Sequence, residues 1–242
     1  MSSQIHDQAV HVPLGTDDTL EAALSVPDGA TCAVLLADGS QSSLESRPFH
    51  FLSSVLNKAG MATLLLDLLT TGEAANVLIA AEMRSNIGLL RTRFEAGTAW
   101  LKNLVKEDPL RVGYCTSGAA GAAALLASMA RATEVRAVVS IEGRPELVEP
   151  DLKKVRAATL LVAAANELAV LEANETAMVL LTCEKKLVVV AGTTRLLDEQ
   201  VVLDRVGAVT QDWFQHHLTP SPAGLSNSRA DALAAAARAA NP

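Results

Sequence analysis

The sequence predicts an α/β fold with a mostly parallel β-sheet, antiparallel leading strands and helices on both faces. Two observations predict it: short continuous apolar runs recur along the chain, and longer amphipathic or alanine-rich stretches separate them. Strands covered on both faces have continuous apolar runs, and strands that alternate with helices form parallel sheets. Half of the 242 residues are hydrophobic but 3% are aromatic, so alanine, valine and leucine must build the core.

The first two predicted strands, 10–14 and 20–26, differ from the rest because their apolar and polar residues alternate. Alternation is typical of strands with one solvated face, whereas the later strands are apolar throughout. Helices are predicted from an apolar face at helical spacing, an early proline, a following glycine or a run of alanines. Later strands are predicted at 32–37, within 61–69, and at 111–115, 135–141, 158–163 and 185–190, and helices at 48–57, 82–105, 119–130, 168–181 and 200–218.

A change in composition after Leu218 predicts two parts, a domain over residues 1–218 and a linker with an alanine-rich tail over 219–242. The linker reads TPSPAGLSNS, and the tail has few apolar side chains larger than alanine. We therefore expect the tail to be loosely attached or to dock on a partner.

The overall charge and the cysteines exclude several classes of function. A net charge of −7 disfavours nucleic acids and anionic membranes as partners. Cys32, Cys115 and Cys183 are far apart within apolar runs, which is typical of buried thiols in a reducing cytosol. Metal-ligand and nucleotide-binding motifs are absent from the sequence, so we expect no metal and no cofactor. Without a predicted signal peptide or membrane span, a cytoplasmic protein is expected.

Several segments resemble the dienelactone hydrolase branch of the α/β-hydrolases. They are the small polar loop that begins at Asp38, the strand TLLLDLLT at 63–70, the strand at 112–114 and the strand RAVVS at 136–140. Their order and spacing agree with that branch from about residue 20 to residue 218. The resemblance implies an α/β-hydrolase fold with an active site at the carboxyl ends of the strands, where a nucleophile, an acid and a histidine hydrolyse an ester or lactone.

The resemblance also places the catalytic triad on residues that lack its chemistry. The nucleophile position falls on Gly118, the acid on Glu167 and the histidine on Arg195. Glycine carries no nucleophile, and a guanidinium stays protonated and cannot act as a base. We expect Glu167 and Arg195 to form a salt bridge across the site instead. A degenerate triad, with no catalytic residue, predicts a pseudoenzyme that acts as a binding or assembly subunit.

An active enzyme remains the alternative interpretation. A shift of one residue would place Ser117 at the nucleophile turn, between the small residues Cys115 and Ala119, and would predict an ester, thioester or lactone hydrolase. The base would then have to come from elsewhere, for example from His50. Otherwise Ser117 is a helix cap. Cys115 is disfavoured as a nucleophile because it lies three residues before the turn, inside a strand.

The expected partner is another protein or a second copy of this chain. A third interpretation is a small acyl or anionic ligand held at the strand ends. The candidate ligand-binding residues are then Asp38, Gly39, Ser40, Gly118 and Arg195.

Overall fold

One eight-stranded β-sheet carries helices on both of its faces. The structure, a computed structural model, describes residues 5–15, 17–104, 110–191 and 196–219, together with residues 233 and 235. The strands are β1 (Ile5–Pro13), β2 (Thr19–Pro27), β3 (Cys32–Ala37), β4 (Ala62–Leu66), β5 (Arg111–Ser117), β6 (Val135–Ile141), β7 (Ala158–Ala164) and β8 (Lys185–Val190). The helices are α1 (Arg47–Lys58), α2 (Thr71–Ala74), α3 (Val77–Ser85), α4 (Ile87–Leu104), α5 (Ala119–Ala130), α6 (Leu168–Leu180) and α7 (Gln200–Leu218), and a 3₁₀ segment spans Pro145–Lys154.

The strand order is β1-β2-β4-β3-β5-β6-β7-β8. β1 pairs with β2 and β2 with β4 in antiparallel fashion, whereas all pairs from β4 to β8 are parallel. Every residue of β3, β4 and β7 is buried, as expected for strands with helices on both faces. The predicted fold class is confirmed, including the antiparallel leading strands.

The core has two apolar clusters, one on each face of the sheet. The first contains Phe94 and Tyr114 and includes residues of α4 and α5, which cover this face. The second contains Phe49 and Phe214 and includes residues of α1 and α7, which cover the other face. The helices thus hold the parallel strands between them, and the carboxyl ends of those strands stay fixed relative to one another.

The helix predicted over 82–105 is instead two helices, α3 and α4, that meet at Asn86. The side-chain oxygen of Asn86 accepts a hydrogen bond from the backbone N–H of Leu89 at 3.0 Å, and so caps the start of α4. The strand predicted within 61–69 spans Ala62–Leu66, and it ends before Asp67, whose carboxylate accepts hydrogen bonds from Ser42 and Leu44. The contacts of Asp67 with Ser42 and Leu44 join residues 25 and 23 positions apart, and such contacts leave no periodic pattern in the sequence.

Beyond residue 219, the structure describes Leu233 and Ala235. Leu233 is fully buried in the first core cluster, so the alanine-rich tail contacts the domain at this residue. The other tail residues lie outside the described part of the chain, and the boundary at 218 stays a prediction. In the described part, no helix combines the length and the apolar character that a membrane span requires.

Candidate functional site

The carboxyl ends of β3, β5 and β6 lie side by side because these strands are parallel and pair in that order. This edge brings together Asp38 and Gly39 after β3, Ser117 and Gly118 at the end of β5, and Glu142 after β6. We call these five residues the strand-end site. Ligand and active sites of open α/β sheets lie at such carboxyl ends.

The carboxylate of Asp38 is 4% exposed and accepts five hydrogen bonds. Its Oδ1 accepts from the backbone N–H of Ser40 at 2.9 Å, the hydroxyl of Ser40 at 2.7 Å and the hydroxyl of Ser117 at 3.1 Å. Its Oδ2 accepts from the side-chain amide of Gln41 at 3.2 Å and the hydroxyl of Ser46 at 2.8 Å. These bonds compensate the carboxylate for the water that it loses on burial.

Ser117 joins the loop after β3 to the end of β5. Its hydroxyl donates to Asp38 and accepts a hydrogen bond from the backbone N–H of Gly39 at 3.1 Å. A Cβ on residue 39 would lie 2.3 Å from the backbone oxygen of Ser117, so this close approach requires glycine. The proton of the Ser117 hydroxyl is therefore held by a carboxylate.

Gly118 forms the turn from β5 into α5, with φ 56° and ψ −138°. Its N–H donates to the backbone oxygen of Ile141 at 3.2 Å, and its own backbone oxygen accepts from Gly121 at 3.0 Å. A Cβ on residue 118 would meet no atom within 4 Å. A sharp, strained strand-to-helix turn that points a residue into open space is the geometry of a nucleophile elbow, but glycine places no nucleophile there.

Glu142 is a site residue that the sequence did not indicate. Its φ is 49°, and it is the one residue other than glycine with a positive φ in the described part of the chain. Its backbone N–H donates to the backbone oxygen of Val162 at 2.7 Å, which fixes it at the end of β6 beside β7. Strained backbone of this kind clusters at functional sites.

The acid and base positions of the predicted triad are described only in part. Glu167 lies at the start of α6, half-buried, and its backbone N–H donates to the backbone oxygen of Ala164 at 3.3 Å. Arg195 lies outside the described residues, so the predicted salt bridge between Glu167 and Arg195 stays a prediction, as does ligand binding by Arg195.

All five histidines lie in the described part of the chain, and none of them hydrogen-bonds Ser117. His50, the candidate base, is exposed, and its Nε2 lies 2.7 Å from the backbone oxygen of Leu44. His6 and His11 lie on β1, four strands away from β5, which corresponds to about 19 Å at the usual spacing of strands.

His216 and His217 lie in the last turn of α7, at the opposite edge of the sheet. The end of α7 meets the beginning of β5, where Arg111 Nη1 donates to the backbone oxygen of Thr219 at 3.5 Å. The length of β5 therefore separates these histidines from the strand-end site. Burial lowers the pKa of His217, although the nearby Glu184 acts in the opposite direction.

Cys115 is fully buried inside β5, and burial raises the pKa of its thiol to about 12. At neutral pH this thiol is protonated, whereas the thiolate is the nucleophilic form of cysteine.

A small cavity of about 30 Å³ adjoins the strand-end site. It is lined by Asp38, Gly39, Gln41, Ser42, Asp67, Leu68, Leu69, Ala74 and Arg84. Pockets for small organic ligands usually enclose about 300–1,000 Å³, whereas this space suits about one water molecule. Two of the candidate ligand-binding residues, Asp38 and Gly39, border this space, and ligand binding at the strand ends stays a prediction.

Comparisons with known proteins agree with this geometry. A scan against protein-family models finds no match. The crystal structure of a dienelactone hydrolase from Anabaena variabilis is 39% identical in sequence, with a TM-score of 0.83, and covers 89% of this chain and 100% of its own. A dienelactone hydrolase-like promiscuous phosphotriesterase from metagenomic libraries shares the fold, with a TM-score of 0.73 at 13% identity over 90% of this chain and 100% of its own.

Two proteins of Mycobacterium tuberculosis, which are provisionally named phosphoribosyl transferases, are 37% identical over 224 residues. The match covers 91% of this chain but 49% of each relative, so the chain spans about half the length of the curated relatives it matches. The similarity to the Anabaena enzyme over its full length shows the family: the chain belongs to the dienelactone hydrolases of the α/β-hydrolase fold. The predicted resemblance is thereby confirmed, whereas the degenerate triad and the site residues stay predictions.

Replacing Asp38 with asparagine should destabilise the protein. An amide would present N–H donors to the hydroxyls that now donate to the carboxylate, and an unsatisfied buried group costs about 1–3 kcal/mol. Urea unfolding should therefore show a free energy of unfolding about 1–3 kcal/mol lower for Asp38→Asn. The control is Asp7→Asn on exposed β1, which should change it by less than about 0.5 kcal/mol. An Asp38→Asn variant as stable as the wild type would contradict this role of the carboxylate.

Proposed function

We propose that this chain is a non-catalytic member of the dienelactone hydrolase family that binds a protein partner at the carboxyl edge of its sheet. The observation that carries the proposal is the turn at Gly118, which has a nucleophile-elbow backbone and open space in front of it but no side chain. The neighbouring hydroxyl, Ser117, is held by Asp38 and Gly39 within the protein.

The second support for the proposal is the missing base. A serine hydroxyl attacks an acyl carbon only when a base takes its proton, and histidine is the usual base. The Ser117 hydroxyl donates to a carboxylate, and the described histidines form their contacts elsewhere. The sequence position that the family resemblance assigns to the base holds Arg195, whose guanidinium stays protonated.

Exposed apolar side chains near this edge support a binding role. Among the described residues, nine large apolar side chains are exposed, and six of them lie within the first three residues of a helical segment, five in connections between strands and one in the helix that follows β8. These six residues, which we call the apolar rim, are Val77, Leu78 and Ile79 in α3, Leu147 in the 3₁₀ segment, Leu168 in α6 and Val201 in α7. Single exposed apolar residues are ordinary, but a set that shares one edge favours an interaction surface.

The partner that we propose is the kind of domain that the curated relatives carry beside their matched half. Those relatives are provisionally named phosphoribosyl transferases, whereas the half that matches this chain has a hydrolase fold. In our proposal, the transferase name belongs to the unmatched half, and the apolar rim contacts such a domain. We place this complex in the cytoplasm, where the three free cysteines remain reduced.

The wild-type chain should not hydrolyse simple aryl esters above the rate of the buffer. The physical reason is that the Ser117 hydroxyl lacks an imidazole base. The Ser117→Ala variant of the chain should therefore show the same background rate as the wild type. The measurement is the release of p-nitrophenol from p-nitrophenyl acetate and butyrate by both proteins at pH 7–8. Steady turnover by the wild type that disappears in Ser117→Ala would establish the alternative, a serine hydrolase.

A gain-of-function pair provides a positive control for that assay. Gly118→Ser places a hydroxyl at the elbow, where a Cβ meets no atom within 4 Å, and Arg195→His adds a base at the position that the resemblance assigns. The double variant should exceed Gly118→Ser alone by about 10²-fold or more, the usual contribution of a positioned general base.

The apolar rim should carry the binding to the partner domain. Leu78→Asp and Val201→Asp should each weaken binding more than about tenfold, because a charge would replace an apolar side chain within the interface. The measurement is biolayer interferometry against the unmatched half of the mycobacterial relative. The matched control is Val179→Asp near the end of α6, since Val179 is 81% exposed, as is Leu78, but lies outside the rim.

Equal weakening by the control and the rim variants would contradict the assignment of the rim. Analytical ultracentrifugation of the wild type alone distinguishes partner binding from self-association. In self-association the rim would join two copies of this chain, and the wild type would sediment as a dimer. A wild-type chain that remains monomeric and does not bind the transferase-type domain would contradict the proposed partner.

A further inference from the structure

Glu184, His216 and His217 form a cluster far from the strand-end site. Glu184 immediately precedes β8, and the two histidines lie in the last turn of α7, so the cluster sits at the amino edge of the sheet. The potential ligand atoms of the three side chains all lie within 4.8 Å of one another. Because 32 residues separate Glu184 from His216, the sequence shows no metal motif, and no metal was expected.

The ring of His217 occupies a confined place in this cluster. Its side chain is 11% exposed, and its ring centroid lies 4.4 Å from that of Trp213 and 4.7 Å from that of His216. Its Nε2 is buried and lies 3.6 Å from Glu184 Oε1, and it has no hydrogen-bond partner among the described residues. A buried polar atom without a hydrogen bond calls for an explanation, and a metal ion that it binds is one of the recognised ones.

We propose that Glu184, His216 and His217 bind a divalent first-row transition-metal ion, with Zn²⁺ as the physiological candidate. Two imidazoles and one carboxylate make a common three-residue set for Zn²⁺, which leaves the fourth position to water. Tetrahedral Zn²⁺ with bonds of about 2.0–2.1 Å needs its ligand atoms about 3.3 Å apart. His217 and Glu184 nearly meet this spacing, and the exposed side chains of His216 and Glu184 are able to rotate inward.

The bound ion would connect the end of α7 to the beginning of β8. β8 is the edge strand of the sheet and α7 covers one face, where the indole N–H of Trp213 already donates to the backbone oxygen of Ala158 at the start of β7. A ligand that binds the folded state alone raises its stability. The site therefore serves to fasten α7, and it acts independently of the proposed function.

Isothermal titration of the untagged full chain with Zn²⁺ tests the proposal. The wild type should bind one equivalent, and His216→Ala and Glu184→Gln should each weaken binding at least tenfold, since both side chains are exposed and their loss should not disturb folding. The matched control is His11→Ala: His11 forms a two-residue pair with Glu21 at 3.2 Å on β1, and its loss should leave Zn²⁺ binding unchanged.

Trp213 gives a second readout that depends on the location of the ion. The chain has two tryptophans, so a Trp100→Phe background leaves Trp213 as the sole reporter. Cu²⁺, which binds N/O sites more tightly than Zn²⁺, should quench its fluorescence saturably at one equivalent, and His217→Ala should abolish this quenching. The proposal would be overturned if the wild type bound no Zn²⁺ at concentrations below about 1 mM. It would also be overturned if the wild type and His216→Ala bound Zn²⁺ with equal affinity.

Discussion

The hydrogen bond between the Ser117 hydroxyl and the buried Asp38 carboxylate is the contact on which the strand-end site depends. It joins two segments that are 79 residues apart and fixes the loop after β3 against the end of β5. This contact also requires glycine at position 39, since the loop lies so close to Ser117 that a side chain on residue 39 would collide with the backbone. The same contact directs the proton of the Ser117 hydroxyl to a carboxylate instead of to an imidazole.

The chain has the fold of its family, and we propose that it lacks the family's hydrolytic chemistry. The fold is that of a dienelactone hydrolase, since a member of known structure is 39% identical in sequence and has a TM-score of 0.83 against this chain. The side chains that would perform hydrolysis are not assembled in the described part of the site. In our proposal the chain binds a partner instead, and the apolar rim offers a surface for it.

Much of the fold was predictable because its signal is local. The strands Cys32–Ala37 and Val135–Ile141 have the predicted bounds, since a buried parallel strand appears in the sequence as an uninterrupted apolar run. The position of Gly118 at the turn also followed from counting along β5. Features that join distant segments could not be predicted: the Asp38–Ser117 contact, the positive φ of Glu142 and the cluster around His217 all depend on tertiary packing.

The most direct test of the central claim, that no activated nucleophile exists at the strand-end site, is covalent capture. The wild-type chain is incubated with a fluorophosphonate, which modifies activated serines, and its intact mass is then measured. Our account predicts an unmodified mass, because the Ser117 proton is held by Asp38 and no imidazole contacts the hydroxyl. A single stoichiometric adduct that peptide mapping locates on Ser117 would contradict it.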